Sequence, residues 1–222
     1  MASKRRVKRK SIKEDQLVTT AVKASQFIQE YFTQVVVGVV VLVVAVAVII
    51  FVANTRRNAA HESERELARA MSEYNAGSNE SAAVAFAQLA DRYGGHPAGK
   101  VARYFLGQSY LGTQQYEQAL GAFKEYLDAA GEDSEFGVAA TIGMALAHEG
   151  LEDFGAAAEL LERLSQTMDP EDPRYVEVLF QTARDYEKAN ARESAIEFYS
   201  LVNEKASGAL KDRAAVSLAL LK

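Results

Sequence analysis

The chain has 222 residues, 49% of them hydrophobic and 25% charged, with no cysteine and a net charge of −5. Without cysteine there is no disulfide frame, no thiol nucleophile and no acylation site for a lipoprotein anchor. The charge is unevenly divided: residues 1–55 hold 8 basic and 3 acidic groups, and residues 56–222 hold 17 and 27. The first part is therefore +5 and the second −10, an acidic balance that disfavours nucleic acid as a partner of the larger part.

Residues 1–34 begin with the cluster Lys4, Arg5, Arg6, Lys8, Arg9 and Lys10. Clustered Lys and Arg neutralise phosphates, yet a seven-residue run with no binding fold attached is a weak signal for nucleic acid or nuclear localisation. Next to an apolar span, the cluster reads as a topology determinant that also touches anionic lipid headgroups. Ser11 and Glu14 then make an S-x-x-E capping box, and Leu17, Ala21, Ala24, Ile28 and Tyr31 recur at helical spacing. A short amphipathic helix at the cytoplasmic surface is expected, its apolar face set against lipid or a partner.

Residues 35–53, VVVGVVVLVVAVAVIIFVA, carry no charge. At about 1.5 Å per residue they reach roughly 28 Å, the thickness of a bilayer's hydrocarbon core, so a single transmembrane helix is predicted. Valine weakens helix propensity in water, but lipid compels every backbone group to bond within the segment. A cleaved signal peptide has a shorter apolar region and a small-residue cleavage site, and no clean one follows Phe51. Lys and Arg crowd the N-terminal flank, whereas Arg56, Arg57, Arg65 and Arg69 are fewer. This places the N-terminus in the cytoplasm and residues 54–222 across the membrane.

Beyond residue 56 apolar side chains recur three and four apart with no period-2 stretch, which predicts an all-α domain. The domain repeats. Ala119, Ala157 and Ala195 are 38 residues apart, as are Tyr110, His148 and Tyr186, and Phe123, Leu161 and Tyr199; Ala70, Ala82 and Phe86 make a more divergent earlier copy. Punctuation falls between the helices: Gly77, Gly94 with Gly95 and Pro97, Gly131 with Ser134, the pairs Asp169-Pro170 and Asp172-Pro173, and Gly208. Gly112 is expected at a tight turn, and Gly150 continues the punctuation. The helix over residues 209–222 is expected to cap the stack.

The best copy, LGQSYLGTQQYEQALGAFKEY (residues 106–126), resembles the tetratricopeptide repeat through Leu106, Gly107, Tyr110, Tyr116, Ala119 and Phe123. The resemblance implies an α-solenoid of about four degenerate helical hairpins plus a C-terminal capping helix, in which Gly107 and Ala119 permit close helix approach and Tyr110 and Phe123 fill the space between hairpins. The 38-residue period exceeds the repeat's usual 34, so longer connections between hairpins are expected. A basic arm, one crossing and such a domain together resemble the YfgM-like family, ancillary subunits of the bacterial SecYEG translocon that also associate with periplasmic chaperones. That implies a non-enzymatic adaptor on the periplasmic face of the inner membrane, with translocon subunits, chaperones or secretory clients as partners. An envelope-assembly or cell-division scaffold is the alternative, and an enzyme with an unrecognised site is the alternative from another class.

Projected from the resemblance, the concave face is lined by Tyr104, Gln108 and Leu111, then Ile142 and Leu146, then Phe180, Arg184 and Glu187, each of which serves equally well as inter-helix packing. Glu162 is expected to be exposed. No other constellation carries chemistry. Residues 94–100 fit G-x-x-x-x-G-K but lack both a preceding strand and a following Ser or Thr, so a turn between repeats is expected. His61, His96 and His148 lack metal-ligand spacing, position 65 is Arg where a zincin needs His, and no G-x-S-x-G occurs. No cofactor, metal, catalytic set or small-molecule substrate is expected.

Overall fold

The computed structural model describes residues 31–221, and the chain divides into two units at the Arg57–Asn58 boundary. The capping box at Ser11 and the amphipathic stretch through Ile28 lie outside the described residues. Helix α1 runs over Phe32–Asn75. Residues 36–58 of it are exposed, and the helix is apolar and long enough to cross a membrane.

In the second unit α1 is followed by α2 (Asn79–Tyr93), α3 (Pro97–Gly112), α4 (Tyr116–Ala130), α5 (Gly137–Gly150), α6 (Phe154–Thr167), α7 (Tyr175–Lys188), α8 (Arg192–Lys205) and α9 (Gly208–Leu221). The described residues contain no strand. The end of α1 pairs with α2, then α3 with α4, α5 with α6 and α7 with α8, leaving α9 to close the stack. This is the solenoid of hairpins that the tetratricopeptide resemblance implies.

Each buried cluster is built from helices close in sequence. Ala70, Phe86, Leu89 and Leu106 form the first, Ala119, Phe123, Tyr126 and Ala140 the next, Ala157, Leu161, Leu164 and Val178 a third, and Leu179, Ala195, Tyr199 and Leu218 the last. The periodic alanines Ala119, Ala157 and Ala195 are all fully buried, as small residues at a close helix crossing must be.

The three-residue turn inside every hairpin is the same structure. Residue Gly77, Gln114, Glu152 or Asn190 sits at φ 77°, 59°, 60° or 60°. The next N–H donates to the carbonyl five residues back: Ser78 to Glu73, Gln115 to Tyr110, Asp153 to His148 and Ala191 to Tyr186, at 2.8 to 3.1 Å. This is the Schellman ending, which satisfies carbonyls left over at the helix C-terminus. Gly112 is therefore not the turn residue, contrary to expectation: it and Gly150 are each the last residue of a helix, and a Cβ there would run into Asn79 or the Tyr116 ring.

The residues beyond the usual repeat length lie between hairpins, in connections 131–136 and 168–174. Residues 94–100 are such a junction too, running from the end of α2 into Pro97 at the start of α3.

Candidate functional site

Tyr104, Ile142 and Phe180 occupy one register position on the first helix of successive hairpins, followed by Gln108, Leu146 and Arg184, then Leu111, Glu149 and Glu187. Glu149 completes this array and was missing from the expected set. Along the chain the row passes from neutral polar and apolar groups on α3 to charged groups on α7.

On α3, Tyr104 is half-buried and stacks on Phe136 from the connection 131–136, with ring centroids 4.6 Å apart. The Phe136 N–H donates to the Tyr126 hydroxyl at 3.2 Å, which fixes the connection over this ring. Gln108 Nε2 donates to the Tyr104 hydroxyl at 3.1 Å, and burial raises the phenol's pKa. Leu111 is half-buried beside the second cluster. On α5, Ile142 is half-buried and Leu146 is 40% exposed, the most open apolar member of the eight.

The α7 end is structured by charge. Arg184 Nη2 donates to both Glu149 oxygens at 2.8 Å, and Lys188 Nζ approaches the same carboxylate at 3.4 Å. These contacts tie α5 to α7. Tyr199 on α8 donates to Glu187 Oε2 at 2.6 Å; burial, then this bond, pushes the phenol up to about 12. Phe180 is only 4% exposed, packed edge-on against Tyr199 with the Arg213 guanidinium 4.5 Å above its ring. It belongs to the packing of α7, α8 and α9. Glu162 is not the open surface position expected of it, because it accepts a hydrogen bond from the half-buried Tyr186.

Asp185, next to Arg184, is fully buried and neither carboxylate oxygen has a hydrogen-bond partner. Its equivalents one and two periods earlier are Ala147 and Ser109, both fully buried. Burial, with Glu149 adding repulsion, raises its pKa to about 7 against the pull of Arg184, whose Nε lies 3.7 Å away. His148 packs at 24% exposure with Nδ1 3.5 Å from Asp153 Oδ2. Among the described residues no group of His, Asp and Glu is arranged to hold a metal.

The profile of the tetratricopeptide repeat-like domain family matches residues 25–171. No curated protein matches the chain. Among solved structures it resembles nearly identical TPR-like repeats from Podosopora anserina, with a TM-score of 0.58, 17% identity, and coverage of 71% of this chain and 84% of that one. It also resembles MamA, residues 41 to the end, from Desulfovibrio magneticus RS-1, with a TM-score of 0.54, 20% identity, and coverage of 64% and 75%. At these identities the likeness is one of fold.

Proposed function

The chain belongs to the tetratricopeptide repeat-like domain family, and from that premise we propose that it is a membrane-anchored adaptor whose row of first helices binds polypeptide near a protein-export channel. Repeat solenoids of this kind are protein-interaction scaffolds, since stacked hairpins present an extended surface rather than a closed pocket. The observation that carries the reading is the register row itself: half-exposed apolar and polar side chains, Gln108 and Leu146 among them, recur every 38 residues beside a charged end at Arg184 and Glu187. Such a row suits weak contact with many apolar segments.

Residues 35–53 anchor the module in the bacterial inner membrane, with the basic arm 1–34 in the cytoplasm and residues 54–222 in the periplasm. The charge asymmetry of the two flanks supports that orientation. Confinement beside an exit site gives a weak groove an effective concentration of order millimolar. Translocon subunits, periplasmic chaperones and emerging secretory chains are the partners that fit. No catalytic role is assigned.

A photo-crosslinker at Leu146 in native membranes tests the reading, with the exposed Lys124 on α4 as its control. Leu146 is expected to capture polypeptide, including a translocon component, and Lys124 little. Equal capture at the two positions removes the groove. Capture at Leu146 with no export component in the set replaces the secretion role by that of a general envelope scaffold.

A further inference from the structure

Helix α9 is the last of the described helices. Ala214 and Leu218 are buried against the last cluster, and Arg192 Nε donates to the Leu221 carbonyl at 2.6 Å, pinning the end of the helix. The opposite side carries a stripe at helical spacing: Ala209, Asp212, Arg213, Val216, Ala219 and Leu220, all exposed, with Val216 at 61% and Leu220 at 79%. A helix face left to water is ordinarily polar. This one has the seam pattern of a helix that expects another helix.

We propose that the outer face of α9 is a homodimer contact, docking antiparallel on the same face of a second copy of this chain. The stripe is self-complementary in charge. Asp212 and Arg213 are adjacent and opposite in sign; Arg213 rests over the Phe180 ring of its own chain, and among the described residues neither charge is held in an ion pair. With the twofold axis between Ala214 and Ala215, Asp212 of each copy lies about 6 Å along the axis from Arg213 of the other, within the reach of an arginine. The same register sets Leu220 of one copy over the small Ala209 of its mate, and every contact occurs twice, as an isologous interface requires. Beside the seam a cleft of about 500 Å³, floored by Phe180 and rimmed by Val216, leaves room for an incoming side chain.

One helix of 14 residues is about 21 Å long and covers far less than the roughly 800 Å² per partner of a stable complex. The pair therefore forms where chains are concentrated by a shared membrane, which rests on the anchored reading above.

Because the chain has no cysteine, Val216→Cys introduces a single thiol into the full-length protein. Treated in native membranes with a short bifunctional maleimide, this variant should yield a species of twice the chain mass, and Lys124→Cys should not. Asp212→Arg or Arg213→Asp added to Val216→Cys should each lower the yield about fivefold or more. Both changes in one chain should restore it, and differently tagged single variants should crosslink to one another. Adducts with other proteins only, no adduct from a chain that melts like the wild type, or no recovery in the double swap overturns the proposal. Alkaline extraction reports the anchor separately: a chain that washes off the membrane yet still gives the charge-dependent dimer when concentrated retains the α9 contact and loses only the tether.

Discussion

A Cβ placed on Gly143 would stand 2.5 Å from the Phe123 ring, so the first helix of one hairpin rests directly on the large side chain of the hairpin before it. A Cβ on Gly107 would likewise stand 2.7 Å from the same ring. Gly143→Ala is expected to overpack this junction and cost about 1 to 3 kcal/mol. Gly121→Ala, in mid-helix with open space around it, is expected to stabilise by about 0.5 to 1 kcal/mol. Chemical denaturation of the two variants checks the opposed signs.

The left-handed turn residues allow a second pair of opposed changes. Gln114 and Glu152 adopt a conformation that costs an L side chain about 1 to 2 kcal/mol, held in place by the paired turn hydrogen bonds. Glu152→Gly should raise stability by roughly 0.5 to 1 kcal/mol after the entropy of a more flexible unfolded chain is discounted. Gly77→Ala, at φ 77°, should lower it by about 1 kcal/mol. Melting temperatures that move together in the two variants would contradict this account.

Asp185 makes stability depend on pH. Its folded pKa of about 7 lies above the ordinary carboxylate value, so the native state favours the protonated form. No penalty is present below pH 4; it grows as pH rises from about 4 to 7 and is complete above that, on the order of 4 kcal/mol. Asp185→Ser places at this site the residue found two repeats earlier, where the Ser109 hydroxyl donates to the Phe105 carbonyl at 2.8 Å. The substitution should stabilise the domain at pH 8 and have little effect at pH 4. A gain of equal size at both values would show that the carboxylate is not the cause.

Ala119 is fully buried in the second cluster, whereas Gln118 beside it is exposed. Ala119→Leu should cost about 1 to 3 kcal/mol, and Gln118→Ala should remain within about 0.5. Equal melting temperatures for the two would count against the hairpin packing.

What could be read from residue order alone was whatever repeats. The 38-residue spacing picked out Ala119, Ala157 and Ala195, and these are the buried crossings. The turn residues escaped because glycine is the ordinary signal for positive φ, and here hydrogen bonds impose that conformation on Gln114, Glu152 and Asn190, themselves 38 apart. Glu149 lay within reach of the same spacing, since one period beyond Leu111 falls on it. Phe136 lies in a connection, outside any periodic class, and its stacking on Tyr104 left no local trace. Phe180 has the same pattern as Tyr104 and Ile142; only the covering by α8 and α9 distinguishes it.

The serial buried clusters also govern how the domain acquires its structure. Each one forms from helices a few tens of residues apart, so little loop-closure entropy stands in the way, and assembly should be fast for a domain of this length. Hairpins near the N-terminus can consolidate while later ones are still emerging from the ribosome. In an isolated protomer, amides of α9, which packs chiefly on α8, should exchange with solvent sooner than those of α4 and α5, which are clasped between neighbours.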